Sequence, residues 1–328
     1  MTQPQTLPDL ARILVVVPTL NEADHIVPCL TSVLSGNPAL SVVVADGGST
    51  DRTRALVAGL MAQYPHLRIV DNPDRLQSAG INRAVAECSN PALTVLVRCD
   101  AHADYPPGYV MSVAEAVNRN GVASVVVPMD SVGKTGFARA AAWIVDTPLG
   151  SGGSAHRGGR RSGRVDHGHH AGMSLEWFRR VGGYDPEFSH NEDAEYDHRL
   201  NMAGGTIWLD ADIRLNYQMR PTFSALARQY WKYGRGRART ILKHRIRPRL
   251  RQLIPVVNLL GIFIGLCITP LWPWALGLPL AYLIGLAFVS LAGVRAIGAD
   301  GVWAGIALFA MHNFWAAGFL RQILRGPR

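Results

Sequence analysis

Residues 13–22 read ILVVVPTLNE, and residues 41–51 read SVVVADGGSTD. In each stretch a β-branched run stops at residues that favour turns, and a segment with helical spacing follows. Further apolar runs lie at Leu67–Val70, Ala92–Cys99 and Ala123–Val127. Short apolar strands separated by helices predict a parallel sheet covered on both faces. Because such sheets bind ligands at the carboxyl ends of their strands, the residues after each run are the first candidates for a site.

Other segments up to about residue 230 follow the same α/β pattern. The spacing predicts helices over Glu22–Leu34, Thr50–Gln63, Gln77–Glu87, Gly108–Asn118, Leu175–Val181 and Glu192–Ala203, and a strand over Thr206–Leu209. Gly150–Arg164 differs, because Gly, Ser and Arg dominate it. It is predicted to be a mobile basic loop, either a solvated insertion or a lid that closes over phosphate groups.

A long uncharged run follows this α/β region. From Gln252 to Val294 there are 43 residues without Asp, Glu, Lys, Arg or His. A helix needs ~20 apolar residues to cross a bilayer, so the run can hold two crossings, with a turn at Thr269–Trp274. The alternative is a buried helical hairpin in a soluble protein. Gly301–Leu320 is a further uncharged segment, which His312 and Asn313 interrupt.

The net charge of +9 is concentrated directly before this run. Nine Lys or Arg and no acid lie between Lys232 and Arg251, and the rest of the chain is neutral. A basic block directly before an apolar run fits the positive-inside rule, and it would also be attracted to anionic lipid headgroups. No nucleic-acid module surrounds the block, so nucleic acid is not an expected partner. The sequence therefore predicts a protein anchored in a membrane by several crossings, with its α/β domain in the cytosol.

Polar residues follow the first two strands. Asp46 precedes Gly47, Gly48 and Ser49, a combination that suits a tight turn and a helix N-cap. It also suits a nucleotide, since a carboxylate can accept from a base imide and glycines let a ligand approach the backbone.

The fourth strand ends in Arg98-Cys99-Asp100-Ala101-His102. Asp100 and His102 are two residues apart, so on an extended segment both side chains project to one face. A carboxylate and an imidazole can hold a divalent ion, Mn²⁺ or Mg²⁺, which would bridge the two phosphates of a diphosphate. An Asp-x-His pair alone is also common in ordinary loops.

Acidic residues open the helix predicted at Glu192. One interpretation is structural, because Ser189 and Glu192 have the spacing of a capping box. The other is chemical, with Asp193 in a cleft as a general base. Farther on, Gln229, Lys232 and their aromatic neighbours could cap a diphosphate and an acceptor sugar, or lie at a membrane surface.

In this order, the motifs resemble those of the inverting family-2 glycosyltransferases. The resemblance covers roughly Ile13 to Tyr233 and rests on VVVPTLNEADHI, VVVADGGSTDRT, Asp100-Ala101-His102, VGGYDP before HNEDAEYDHRL, and QYWKY. Within the family the chain is most similar to bacterial exopolysaccharide glucosyltransferases of the succinoglycan type. It departs from the family at His102, which replaces a second carboxylate, and at Lys232-Tyr233, which replaces Arg-Trp.

The resemblance implies a GT-A-like, doubly wound α/β domain followed by transmembrane helices. It also implies a multi-pass protein of the bacterial plasma membrane, with the catalytic domain in the cytoplasm. It implies a UDP-sugar donor, most simply UDP-glucose, and a polyprenyl-diphosphate-linked saccharide acceptor. Asp193 would be the general base, and a divalent ion on Asp100 and His102 would neutralise the departing UDP. The resemblance also implies residues that contact the nucleotide, the diphosphate or the acceptor. They are Pro18, Leu20, Glu22, Asp46, Asp100, Gln229 and Lys232.

Three other functions stay open at this point. They are a processive polysaccharide synthase, a nucleotidyltransferase and an inactive membrane scaffold. The predicted domains are a catalytic domain over residues 1–230, a basic juxtamembrane segment over 231–251 and a membrane domain over 252–328. Because a third crossing would place the arginines of the C-terminal tail outside, we expect two full crossings and a third segment that is re-entrant or packed against them.

Overall fold

In a computed structural model, residues 12–326 are described except Gly36, Ser89 and 154–160. The chain forms two compact units. The first contains Met1–Asp130 and Gly158–Tyr217, and the second contains Ser131–Arg157 and Gln218–Arg328. The boundary between the units at Tyr217 lies before the predicted domain boundary at residue 230. The segment Ser131–Arg157 also belongs to the second unit, although it lies within the predicted first domain.

The first unit is an α/β sandwich. Its strands are β1 (Ile13–Thr19), β2 (Ser41–Asp46), β3 (Leu67–Asp71), β4 (Val95–Arg98), β5 (Ser124–Val126), β7 (Gly163–Val165), β8 (His170–Ser174) and β9 (Ile207–Leu209). Its helices are α1 (Ile26–Leu34), α2 (Thr53–Met61), α3 (Gln77–Glu87), α4 (Tyr109–Asn120), α7 (Leu175–Arg180) and α8 (Glu192–Met202). Two short strands, β6 (Met129–Val132) and β10 (Leu215–Gln218), pair separately.

The eight-stranded sheet has the order β3-β2-β1-β4-β8-β5-β9-β7. Strands β3, β2, β1 and β4 are parallel, as predicted, and β5 and β9 are also parallel. Two further strands, which the sequence did not predict, run antiparallel in the same sheet: β8 lies between β4 and β5, and β7 pairs with β9. The inserted β8 connects the two parallel parts.

Apolar side chains cover both faces of this sheet. One buried cluster contains Val15, Val42 and Val97 with the inner faces of α1 and α4. The other contains Val16 and Leu96 with residues of α3 and α8. Alternate residues of the central strands therefore enter opposite cores, so both faces need apolar side chains. This burial fixes the carboxyl ends of β1, β2 and β4 along one edge.

The second unit is helical. Its helices are α5 (Gly136–Val145), α6 (Pro148–Ser151), α9 (Phe223–His244), α10 (Leu250–Ile268), α11 (Gly277–Ile297) and α12 (Ala304–Arg325), with 3-10 turns at Pro273–Leu276 and Gly298–Trp303. The stretches Leu250–Ile268 and Pro273–Arg325 are long and apolar enough to cross a membrane. The predicted basic loop at Gly150–Arg164 is only partly described: Gly150 and Ser151 end α6, whereas Arg157 and Arg160 lie outside the described residues.

Candidate active site at the strand ends

The turn after β2 is organised around Asp46. This carboxylate is 1% exposed and accepts hydrogen bonds from the backbone N–H groups of Gly48 and Ser49, both at 3.1 Å. It also accepts from Ser49 Oγ at 2.6 Å and from Arg54 Nη1 at 2.9 Å. Burial alone would raise the pKa of Asp46, but these donors outweigh it and lower the pKa. Asp46 is therefore ionised, and it shapes the turn in which Gly48 has a φ of +78°.

The residues after β1 lie beside this turn. The Gly47 N–H donates to Thr19 O at 2.8 Å, and the Glu22 N–H donates to Thr53 Oγ1 at 2.8 Å. Leu20 is 43% exposed, and a Cβ on Gly47 would lie 3.5 Å from the Leu20 Cβ. The structure thus brings the predicted pocket residues Pro18, Leu20, Glu22 and Asp46 to one edge, since Pro18 also pairs with Ala45 across β1 and β2.

Asp100 and His102 follow β4. Asp100 Oδ1 accepts from Gln77 Nε2 at 2.7 Å and from Arg98 Nε at 3.2 Å. Burial would raise the pKa of Asp100, but Arg98, His169 and His102 lower it to about 2. The half-exposed His102 places its Nδ1 3.2 Å from Glu22 Oε1.

These two side chains fit a divalent ion in part. Among the described residues no three His, Cys, Asp or Glu side chains are arranged to hold a metal ion. A Mg²⁺ ion bound to a diphosphate, however, commonly takes only one or two carboxylates from the protein. Phosphate oxygens and water complete its coordination. The ionised Asp100 and the partly exposed imidazole of His102 could supply the protein ligands of an ion coordinated in this way.

Arg98 joins this edge to the acidic helix α8. Its side chain is 4% exposed and contacts three carboxylates. Nη1 lies 2.7 Å from Asp193 Oδ1, Nε lies 3.2 Å from Asp100 Oδ1, and Nη2 lies 3.4 Å from Glu192 Oε1. Sequence reasoning assigned Arg98 no role. A signal was present, because a charged residue ending an apolar strand must meet opposite charge when the strand is buried.

The capping-box interpretation of Ser189 and Glu192 was wrong. The N-cap of α8 is Asn191, which has a left-handed backbone with a φ of 66° and makes no capping bond through its side chain. In this conformation Glu192 and Asp193 meet Arg98 instead of the preceding backbone. Both acids therefore belong to the site.

The acids beside Arg98 have different pKa values. Burial and the neighbouring Asp193 raise the pKa of Glu192 to about 7 despite Arg98. Burial would also raise the pKa of Asp193, but Arg98 and His170 outweigh it and lower the pKa. Asp193 is thus an ionised, 18% exposed carboxylate at the end of the sheet. That is the state a general base requires.

Two histidines of the site were missed from the sequence. His170 is fully buried in β8, with Nε2 2.6 Å from Asp197 Oδ1 and Nδ1 3.4 Å from Asp193 Oδ1. Burial lowers the pKa of His169 to about 4. No local pattern marks either histidine, since both lie in a segment without strand or helix spacing. The pairing of β8 places His170 in the sheet, and His169 directly precedes that strand.

Gln229 and Lys232 lie on α9, in the second unit. Gln229 Nε2 donates to the Tyr233 hydroxyl at 2.9 Å, and Lys232 is exposed. Their predicted contacts with the diphosphate or the acceptor stay predictions.

Comparison with known proteins agrees with this geometry. Residues 14–182 match the model of glycosyl transferase family 2. The succinoglycan biosynthesis protein ExoA of Rhizobium meliloti (strain 1021) is 42% identical over 320 residues, which cover 95% of this chain and 94% of that protein.

Solved structures share the fold. The mannosyltransferase PcManGT from Pyrobaculum calidifontis, in complex with GDP-Man and Mn²⁺, superposes with a TM-score of 0.60 at 19% identity, covering 96% of this chain and 87% of that one. S. aureus TarS 1–349 in complex with UDP-GlcNAc superposes with a TM-score of 0.50 at 13% identity, covering 91% of each chain. The family match and the extent of the identity to ExoA together show that the chain belongs to the family-2 glycosyl transferases.

Proposed function

We propose that this glycosyltransferase moves a sugar, most simply glucose, from a UDP-sugar to a lipid-linked saccharide during exopolysaccharide synthesis, with inversion at the anomeric carbon. The observation that carries the proposal is the ionised Asp193, which shares Arg98 with Asp100 at the carboxyl end of the sheet. The 42% identity to a succinoglycan biosynthesis protein supports a role in exopolysaccharide synthesis.

The reaction would be a single displacement. Asp193 takes the proton of an acceptor hydroxyl, which must lie within ~3 Å of the carboxylate in the reactive complex. The hydroxyl oxygen bonds to the anomeric carbon while the bond from that carbon to the UDP oxygen breaks. UDP leaves with the electron pair, and attack on the opposite face inverts the configuration.

Other residues would position the donor. Pro18, Leu20, Glu22 and the turn held by Asp46 form one edge, which suits a nucleotide. A divalent ion, Mn²⁺ or Mg²⁺, held by Asp100 and His102 would neutralise charge on the departing diphosphate. The roles of Gln229 and Lys232, at the diphosphate or the acceptor, rest on the family resemblance.

The second unit would anchor the protein to an anionic membrane. It contains 18 Lys and Arg against two acids, whereas the first unit contains 15 against 22. Its helices α10 and α11 expose large apolar side chains along their length, among them Ile254, Phe263, Leu283 and Phe288. At 1.5 Å per residue the 19-residue α10 is about 28 Å long, close to the ~30 Å of a hydrocarbon core. This supports a plasma-membrane location with the acidic catalytic unit in the cytoplasm.

Helix α12 differs from α10 and α11. It packs along α9, with Gly318 against the Trp231 carbonyl and Gly234 against the Trp315 carbonyl. Since α9 carries six Lys or Arg within its 22 residues, it is not suited to a hydrocarbon core, and a helix packed along it stays outside the core too. We therefore propose two crossings, α10 and α11.

The polar residues of α12 have partners in this arrangement. His312 Nε2 lies 2.9 Å from the Leu149 carbonyl, and Asn313 Nδ2 donates to the Tyr282 hydroxyl at 2.9 Å. These contacts support the expectation that the third apolar segment, now α12, packs against the other helices of the second unit.

A donor screen tests the proposed activity. The full chain in lipid nanodiscs is mixed with UDP- and GDP-sugars, Mn²⁺ and a polyprenyl-diphosphate-linked saccharide, and nucleotide release is measured. UDP release with UDP-glucose, and a product whose new linkage has the opposite anomeric configuration by NMR, is expected. Retained configuration, or no release with any donor, would contradict the proposal, and long polymers would indicate a processive synthase.

A further inference from the structure

The imidazole of His170 lies between two carboxylates of α8. Asp193 and Asp197 are four residues apart, so they share one face of the helix. His170 Nε2 is 2.6 Å from Asp197 Oδ1, and its Nδ1 is 3.4 Å from Asp193 Oδ1. His170 is fully buried and Asp197 is 1% exposed, so water does not screen the contact between these two side chains.

Both nitrogens of this ring lie beside an atom that can accept a proton, as an imidazolium requires. An ionised carboxylate only accepts, so Nε2 donates to Asp197. Nδ1 lies 2.5 Å from the Tyr184 hydroxyl, which has an acceptor of its own in Met173 Sδ at 3.8 Å. The Tyr184 oxygen also accepts from Arg98 Nη1 at 3.4 Å. With its proton directed to the sulfur, Tyr184 is free to accept from a protonated Nδ1.

The charges around the ring favour the same state. Burial lowers the pKa of His170, but Asp197 and Asp193 outweigh it and raise the pKa. Asp197 is held ionised in turn, because its contacts with His170 and His167 outweigh burial and lower its pKa. Titratable or charged groups face His170 from four directions. They are Arg98 from β4, His167 and His169 from the segment before β8, Tyr184 from the segment after α7, and Asp193, Tyr196 and Asp197 from α8.

We propose that His170, charged and held by Asp197, is a positioning residue that fixes Asp193 Oδ1 and keeps this carboxylate ionised for proton abstraction. The inference rests on the proposed function, because it assumes that Asp193 is the base. Arg98 donates to Asp193 Oδ1 at 2.7 Å from the β4 side. His170, whose Nδ1 proton goes to Tyr184, attracts the same oxygen by its charge across 3.4 Å from the β8 side. The two cations thus restrict the carboxylate from both neighbouring strands.

The test uses Asp197→Asn, which keeps the size of the side chain and removes its charge. Without Asp197, His170 should lose its proton, and Asp193 should lose one of two cationic neighbours. Because Asp197→Asn also removes the Asp197 charge, which raises the pKa of Asp193, we expect its acid limb of kcat/KM to move little. His170→Gln keeps Asp197 and removes only the cation, so its acid limb should move to higher pH by about 1 unit. We also expect kcat to fall about tenfold with the KM for the UDP-sugar unchanged.

His170→Gln should show the same fall in kcat, and the acid limb of the double variant should return toward that of Asp197→Asn, because the Asp197 charge is absent from both. Tyr196→Phe is the matched control. Tyr196 lies on α8 with its ring 5.2 Å from that of His170, and its buried hydroxyl has no hydrogen-bond partner among the described residues. This variant should keep the wild-type pH profile.

The charge of His170 is measured separately from turnover. In the full chain labelled with ¹⁵N-histidine, the resonances missing from His170→Gln identify this ring. An imidazolium at about pH 7.5, lost in Asp197→Asn, is expected. If Asp197→Asn does not fold, the profile of His170→Gln decides.

A neutral His170 in the wild type, or an unshifted acid limb in folded His170→Gln, would overturn the inference. Absence of turnover in the wild type with every donor would instead contradict the proposed function, and the NMR titration would still decide the state of His170.

Discussion

Replacing Glu192 by Gln should stabilise the protein above neutral pH and leave its stability unchanged in acid. Burial and Asp193 raise the pKa of Glu192 from 4.5 to about 7 in the folded chain. Below about pH 4.5 the carboxyl is protonated in both the folded and the unfolded state. As pH rises to about 7, only the unfolded state releases the proton, so the free energy of unfolding falls. One pH unit corresponds to about 1.4 kcal/mol, so this rise in pKa costs roughly 3 kcal/mol above pH 7.

The assay is thermal unfolding in nanodiscs at about pH 4 and pH 8.5, chosen to bracket the titration. The gain in Tm of Glu192→Gln over the wild type should appear at the higher pH only. Glu176→Gln, which removes an exposed acid from the first turn of α7, is the control and should show no such dependence. A Glu192→Gln variant that loses stability at pH 8.5 would refute the reasoning, because it would mean that Glu192 is ionised and stabilised by Arg98.

Three further predictions concern the metal, the helix packing and the membrane. His102→Ala should raise the Mn²⁺ concentration needed for half-maximal turnover by about tenfold, and full activity in excess chelator would contradict a metal role. Gly234→Ala should lower Tm, because a Cβ there meets the Trp315 carbonyl and overpacking costs about 1–3 kcal/mol, whereas Gly285→Ala on α11 meets nothing and should be neutral. A C-terminal fusion should report a cytoplasmic end; alkaline phosphatase activity there would indicate three crossings.

The sequence predicted those parts of the fold that local patterns determine. The β-branched runs of β1, β2 and β3 and the 3.6-residue spacing of α3 are local signals, and the residues after β1, β2 and β4 meet along one edge as expected. The segment HAGMS gave no such signal. It forms β8 because β4 and β5 bond to both of its edges, a tertiary effect that overrides weak propensity.

The same limit applies to the site. Asp193 could be selected from the family resemblance, but its partners Arg98 and His170 come from β4 and β8, far apart along the chain. Spacing rules describe neighbours in sequence, so the capping box at Ser189 was favoured as much as a role in the site. The left-handed Asn191 decides between them, and no local rule required that conformation.

The central claim, that Asp193 is the base of a glycosyl transfer, is tested most directly by Asp193→Asn in the full chain. UDP release from UDP-glucose is measured with the lipid-linked acceptor, and UDP affinity is measured by calorimetry. Turnover should fall by ~10²-fold or more with UDP affinity unchanged, because the variant loses the proton acceptor and keeps the nucleotide pocket. Near-wild-type turnover in the folded variant would contradict the claim.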